Sequence, residues 1–402
     1  MINLHALHKV CAFLSRSKGI AVALIVTVCT FLLANSCRNY LQSEAAFSKT
    51  FKSPDYILQD LYEGAKDTNP IGLVNPNVVI VQDDKCNNAQ MAALITAIDS
   101  LEPAAIGVDC IFVETGDNPA STMKLVDAIN NCKSPLVLAS CLEFNDTVKE
   151  FTIGSGSALY DLIKGIPSGI TNLGSPSISP QSIVRKVQKS FNVGKDSQMN
   201  SFAYKLVSCS GMAKEVEDKI PSSIFIRYQG LDTPKFQWNE LVLEDGMTCI
   251  SDEVKDQIKG KIIILGSTNN PTDMHMIPSE KRVSGVEIHA AAIYTIISQN
   301  FLIESPRWVD YTIAFVSVFL FALLLYYSSL HWGRLQNLCV RIVQTSMIVA
   351  FIIIGYYFYH TDFSPVYIDF SPSIVMIGVS SFVFDIIRGL YGSYLFIKNK
   401  MI

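Results

Sequence analysis

The sequence predicts an extracytoplasmic three-layer α/β domain with a mostly parallel sheet, carried by one N-terminal and three C-terminal transmembrane helices. Three observations carry that expectation. The stretch Gly19 to Ala34 has no charged residue, and the chain is apolar almost throughout after Pro306, whereas the block between is an ordinary mixed sequence. Within that block short continuous apolar runs alternate with amphipathic helical ones, the pattern of a parallel sheet covered on both faces. Lysine and arginine cluster at one side of every apolar segment, which orients them all consistently.

The composition agrees. Of 402 residues, 49% are hydrophobic and 17% charged, a low charged share for a soluble chain. A net charge of -4 gives no electrostatic footprint for nucleic acid. No repeat of solenoid length is present.

The first apolar segment, about Gly19 to Ala34, follows Lys9, Arg16 and Lys18. It is short for a span, which needs about 20 residues, so a cleaved signal peptide stays open. Leu33-Ala34-Asn35-Ser36-Cys37 also leaves open acylation of Cys37 after cleavage. Further segments run from about Val309 to Ser329, Ile342 to Tyr359, and Pro372 to Ile387. Arg334 and Arg341 place the loop between the second and third inside, and Arg388, Lys398 and Lys400 do the same for the tail. The loop His360 to Ser371 has Asp362 and Asp369 and no Lys or Arg, so it is outside. The expected division is 1–37 as cytoplasmic N-terminus and signal anchor, 38–306 as the outer domain, and 307–402 as three spans with a short cytoplasmic tail. The location is then an inner (plasma) membrane with both termini cytoplasmic. Asp385 and Arg388 are expected to pair at i,i+3.

In the outer block Ser53-Pro54 reads as a helix start, with Ile57, Leu58, Leu61 and Tyr62 on one stripe. Asn77 to Val81 (NVVIV) is a strand. A helix follows, capped by Asn88, with Met91, Leu94, Ile95 and Ile98 at helical spacing. Ala104 to Phe112 (AAIGVDCIF) is a second strand with Asp109 inside it. Thr122 to Asn131 is a helix and Pro135 to Ala139 (PLVLA) a strand. Ile224 to Tyr228 (IFIRY) and Ile262 to Leu265 bring the strands to five, and Ser201 to Ser208 and Val286 to Ile297 add helices. The stretch Phe151 to Asn200, rich in Gly, Ser and Pro, gives no clear periodicity.

Ligands of open α/β sheets bind beyond the carboxyl ends of the strands. Those ends carry Asp83, Asp84, Glu114, Ser140 and Gly266-Ser267-Thr268-Asn269. The candidate ligand-binding residues are Asp83, Asp84, Asp109, Glu114, Ser267, Thr268, Asn269, Asp273 and His275. Such a set suits a cation, an amine or a polyhydroxylated ligand better than a phosphate. The plainer alternative is that these residues cap helices and turns, as Asp, Ser and Asn do after strands.

The stretch Leu265 to Ala290 holds D-x-H (Asp273, His275) and E-x-H (Glu287, His289). A metal site needs three or four converging ligands. At i,i+2 on a helix, Glu287 and His289 point about 200° apart and cannot chelate together. The H-E-x-x-H pattern is absent, as are a nucleophile elbow, a Walker loop and a Cys-x-x-Cys. Glu287 suits the helix dipole, and His289 suits a core position. No metal, cofactor or catalytic residue is expected.

Several stretches together resemble the class-two CHASE domain, an extracellular sensory module associated with cyclases and histidine kinases. They are VVIVQDD (Val78 to Asp84), AAIGVDCIFVE (Ala104 to Glu114), GITNLGS (Gly169 to Ser175), SIVRKV (Ser182 to Val187), IRYQG (Ile226 to Gly230) and GKIIILGST followed by D-x-H, a Pro and GVEIHA. Lys85-Cys86-Asn87 stands where the family has a Trp-Pro-rich turn. The family's cytoplasmic kinase, cyclase or phosphatase is not expected here, because the sequence stops at Ile402.

The resemblance implies a membrane-anchored sensor or receptor, not an enzyme. It would take an unknown small ligand or protein outside and signal through its spans to a separate partner or by homo-oligomer rearrangement. Its other contacts would be the lipid bilayer, and no nucleic acid. Two alternatives stand beside this. An envelope enzyme would need Asp83 and Asp109 to converge with His275, and a ligand-free membrane scaffold would have a filled strand-end crevice. Of ten cysteines, Cys86, Cys110, Cys132, Cys141, Cys209 and Cys249 lie in the outer block, where one or two disulfides are expected.

Overall fold

The computed structural model describes residues 4–43, 58, 61–62, 74–83, 87–112, 119–145, 150–154, 162–163, 165–173, 183–195, 197–213, 217–228, 232–243, 247–248, 250–278, 281–299, 301–331, 336–360 and 366–400. Of the residues named above, Ser53, Pro54, Ile57, Asp84, Lys85, Cys86, Glu114, Ser182, Cys249, Arg334 and Asp362 lie outside that set, as do the ends of the GITNLGS and IRYQG motifs. In chain order the helices are α1 (Leu4–Ser43), α2 (Asn88–Asp99), α3 (Pro119–Asn130), α4 (Phe202–Ser210), α5 (Asp252–Ile258), α6 (Gly285–Ser298), α7 (Arg307–His331), α8 (Gln336–Tyr359) and α9 (Ser371–Lys400). The chain divides into two compact units. One is Gly64–Phe301, and the other joins Met1–Glu63 to Leu302–Ile402.

In the first unit six strands form one sheet: β1 (Val78–Gln82), β2 (Ala105–Val108), β3 (Leu136–Ser140), β4 (Ser168–Ile170), β5 (Lys235–Gln237) and β6 (Ile262–Gly266). Their spatial order is β5-β1-β6-β2-β3-β4, and every pairing is parallel. The apolar runs are continuous because both faces are covered. Val78, Ile80, Ala105, Val137, Ile262 and Ile264 enter one core with α4 and α6. Their neighbours Val79, Val81, Ile106, Val108, Leu136, Ile263 and Leu265 enter the other with α2, α3 and α5. The period of two sorts them. Burying each such side chain fully contributes about 1.5–3 kcal/mol.

Two glycines let α4 lie close on the sheet. A Cβ at Gly107 would come within 2.6 Å of Leu206 Cδ1, and one at Gly169 within 2.6 Å of Phe202 Cα, a backbone atom. The glycines of AAIGVD and GITN therefore mark one helix–sheet contact.

Four of the five expected strands lie in this sheet, and the structure corrects the fifth. Ser223–Phe225, in IFIRY, pairs antiparallel with Lys186–Gln188 in a separate two-stranded ribbon. The two outer places are taken by β4 and β5, three residues each, too short to show an alternation. β2 ends at Val108, so Asp109 follows the strand and is not inside it. The cap of α2 is Asn87, not Asn88: its side chain accepts from Gln90 N–H while the Gln90 side chain accepts from Asn87 N–H. This reciprocal pair satisfies two donors that a helix start leaves open.

Among the described residues the second unit contains four helical stretches long and apolar enough to cross a membrane: Lys18–Cys37, Arg307–Leu330, Asn337–Tyr359 and Ser371–Tyr391. The first is longer than the charge-free run because α1 continues unbroken on both sides of it. Ala23, Val26, Ala314, Val318, Phe321, Leu325, Met376, Ile377 and Phe384 share its core. Gln344 Nε2 donates across to the carbonyls of Ile377 (2.8 Å) and Gly378 (3.1 Å). Arg341 Nη1 donates to Gln344 Oε1 at 2.9 Å. Arg341 thus belongs to α8 and not to the preceding loop. The expected Asp385–Arg388 pair is not among the ion pairs of the described residues, and both side chains are exposed.

Candidate functional site

The strand order decides where the polar residues meet. β6, the last strand in sequence, lies between β1 and β2, so three carboxyl ends stand side by side where the sheet's connections diverge. Open α/β sheets place ligands at such a point. Asp83 follows β1, Asp109 follows β2, and Ser267-Thr268-Asn269 follow β6.

Asp109 is held by a continuation of the ladder, its N–H donating to Leu265 O at 2.8 Å. Asp83 is 7% exposed, and Cys110 Sγ donates to its Oδ2 at 2.5 Å. Burial pushes the Asp109 carboxyl up to about 8, reinforced by the negative charges of Asp273 and then Asp83. The Asp109 carboxyl therefore keeps its proton to a pH well above the usual carboxylate range.

Asp273 reaches this group through a local chain turn. The Asn270 side chain accepts from Thr272 N–H at 3.1 Å, starting the turn Pro271–Asp273. Then Met274–Met276 pairs antiparallel with Arg282–Ser284. The hairpin returns the chain to the start of α6, where Asp273 Oδ2 accepts from Gly285 N–H at 3.1 Å and Oδ1 lies 3.0 Å from His275 Nε2. A Cβ on Gly285 would come within 2.6 Å of Asp273 Oδ2, so only glycine admits this approach without displacement. A carboxylate over a helix N-terminus also meets the positive end of its dipole.

Glu287 closes the same helix end. Ser284 donates to it from both N–H and Oγ at 2.9 Å, and Lys235 of β5 donates to it as well. Burial raises the Glu287 carboxyl, but the hydrogen bonds from Lys235 and Ser284 outweigh it and hold it below the usual range. His289, one turn on, is 2% exposed. Burial drives its imidazole down to about 4, against the pull of Asp273. It packs edge-on against Phe202 at 5.2 Å, and its Nδ1 has no partner among the described residues.

Across β5, β1 and β6, Gln237 Nε2 donates to Gln82 Oε1 and Gln82 Nε2 to Thr268 Oγ1. Asn269 N–H turns back on Ser267 Oγ at 3.3 Å.

The structure therefore joins Asp83, Asp109 and Asp273 electrostatically, with His275 on Asp273 and Thr268 tied to β1. Ser267 and Asn269 share a local turn. Asp84 and Glu114 lie outside the described residues. The residues not anticipated are Gln82, Gln237, Cys110 and, as part of the cluster, His289. Its i,i+4 spacing from Gly285 was the available signal, since it places His289 below the same helix end. His275 bonds Asp273, and among the described residues no hydrogen bond joins it to Asp83 or Asp109. Among the described residues no three of His, Cys, Asp and Glu are grouped to hold a metal ion. A groove of about 630 Å³ lies elsewhere, between α2 and α3, with Ala93, Lys124, Asp127 and Cys132 on its walls. Cys132, Cys141 and Cys209 are free thiols, so none of these three enters one of the expected bridges; Cys86 and Cys249 lie outside the described residues.

Compared with known proteins, residues 71–325 match the family model described as the CHASE2 domain. The match covers the sheet unit from just before β1 and continues into α7. No curated protein and no solved structure matches the chain.

Proposed function

The chain belongs to the CHASE2 domain family, a family of extracellular sensory domains, and on that premise we propose that it is a membrane-anchored sensor. Its Gly64–Phe301 unit lies outside as a three-layer domain, and the helices of the other unit cross the inner membrane with both ends of the bundle's chain in the cytoplasm. The strand-end carboxyl cluster takes the stimulus, a small cationic, amine-bearing or polyhydroxylated ligand. The response passes through the spans to a separate partner.

The observation that carries this reading is Asp109. A carboxyl following β2, coupled to the charges of Asp273 and Asp83 so that its hold on a proton is raised, is poised to lose that proton when a cation arrives, or to donate to a ligand oxygen. Asp273 also anchors the first turn of α6, and α6 leads along the chain to α7. A ligand that withdrew Asp273 from Gly285 N–H would loosen that helix start, a local two-state event of the kind that sensors amplify.

The test is a thermal-shift screen on the full chain in lipid nanodiscs, with divalent cations, amines and sugars as probes. Binding to the folded state raises the midpoint by mass action. A compound whose shift disappears in Asp83→Asn and Asp109→Asn, while a probe-free melt stays cooperative, supports the reading. A compound whose shift survives both substitutions sets the receptor site elsewhere and defeats it.

A further inference from the structure

Asp385 is the one charged group singled out in the sequence that the sensor reading leaves without a role. It lies in α9 within the apolar stretch Ser371–Tyr391, about 9 Å before its end at 1.5 Å per residue. The bundle uses the other side of this helix: Ser373, Met376, Ile377, Ser380, Val383 and Phe384 are buried. Asp385 faces outward, and so do Val375, Gly378, Phe382 and Gly389. These five positions follow one another at alternating steps of three and four, the spacing of a helix–helix seam. Nothing lies within 4 Å of where a Cβ would stand on Gly378 or Gly389, while Phe382 is 62% exposed.

An ionised side chain turned toward lipid is costly, and such residues ordinarily face a bundle interior or pair with another group. Small residues in the same stripe let a second helix approach closely, which is how spans associate. From this geometry we propose that the Val375–Gly389 face of α9 docks a second copy of the chain inside the membrane. Charge complementarity selects that occupant. Arg388 is exposed one turn beyond Asp385, and no ion pair joins the two among those of the described residues. Side chains on a helix tilt toward its N-terminus, so in a parallel pair Arg388 reaches back to the level of Asp385 on the facing helix. A two-fold axis forms that contact twice and leaves neither charge bare. A partner helix carrying only a cation would neutralise Asp385 and leave Arg388 unmatched.

The inference rests on α9 spanning the membrane, as in the reading above, and the experiment separates the two. The full chain, with Cys11, Cys29, Cys37 and Cys339 replaced by serine, is expressed in membranes carrying Gly389→Cys or, as an off-seam control, Leu390→Cys. Recovery in the alkali-washed membrane pellet tests the span itself. Oxidation followed by a non-reducing gel tests the seam against the same chain without the added cysteine. Gly389→Cys is expected to give a cross-linked dimer at about ten times the yield of Leu390→Cys. Asp385→Arg lowers that yield and Arg388→Asp added to it restores it. Gly378→Ile, whose Cβ meets no atom within 4 Å, also lowers it. A pelleted protein that cross-links equally at both positions, that ignores Asp385→Arg, or that links only to a different protein overturns the proposal.

Discussion

Replacing Asp109 by asparagine should change the shape of the stability–pH curve and not merely its height. The folded carboxyl titrates at about 8 against an ordinary 3.8, and the folded His289 at about 4 against an ordinary 6.5. Between pH about 4 and 6.5 the folded wild type holds a proton on Asp109 that the unfolded chain has released. It lacks the His289 proton that the unfolded chain keeps, so the two states bind equally and stability is flat. From pH 6.5 to 8 the unfolded His289 has also let go, the folded chain alone holds a proton, and stability falls. At about 1.36 kcal/mol per pH unit the loss over that window is about 2 kcal/mol. For a domain of this size it lowers the midpoint by about 4–8 °C. In Asp109→Asn only the His289 proton difference is left. Its stability rises from pH 4 to 6.5, by about 3 kcal/mol, and is level above. The assay is intrinsic fluorescence of the full chain in nanodiscs, melted at half-unit steps from pH 4 to 8.5. Parallel curves for the two proteins above pH 6.5 would refute a protonated Asp109.

Other substitutions test other parts of the structure. Gly169→Ala drives a methyl into the Phe202 backbone and should cost about 1–3 kcal/mol by overpacking; an unchanged melting midpoint would deny the close approach of α4. Glu287→Ala removes the acceptor of Ser284 and the partner of Lys235, with an expected loss of about 1–2 kcal/mol at neutral pH. That loss should fade on acidification, because the lowered carboxyl contributes only while it is ionised. Gln344→Leu breaks the donations to Ile377 and Gly378 and should cost about 0.6 kcal/mol in bicelles; a cost of zero would mean that the freed carbonyls re-bond within α9. Maleimide counting on chain denatured without reductant should find Cys132, Cys141 and Cys209 all reactive, as located by peptide mapping.

The sequence was most readable where a run is buried on both faces. VVIV, AIGV, LVLA and IIIL read as central strands because they are short, rich in β-branched residues or leucine, and apolar on both parities. The edges were unreadable for the same reason reversed: SGI and KFQ are three residues long and half-polar, and their pairing partners, not their composition, make them strands. IFIRY shows the converse failure, an apolar run that finds its partner in Lys186–Gln188 outside the sheet. At the site, spacing separated Glu287 from His289 correctly, because it depends only on helix geometry. It could not foresee that a hairpin would carry Asp273 back onto Gly285, a contact set by chain reversal. Nor could it foresee that β6 would sit between β1 and β2, which is what assembles the acids.

That placement of β6 also constrains the order in which the molecule is made. A ribosome releases β1, β2 and β3 long before the strand that joins the first two. Until then β1 and β2 each present a bare hydrogen-bonding edge of valine and isoleucine, the kind of edge that recruits stray strands. Non-local closure is slow, and nascent chains with open apolar edges aggregate. Delayed insertion of the central strand therefore makes the first four-fifths of the Gly64–Phe301 unit a natural client for a chaperone or for rapid translocation, and truncations ending before Ile262 should be insoluble.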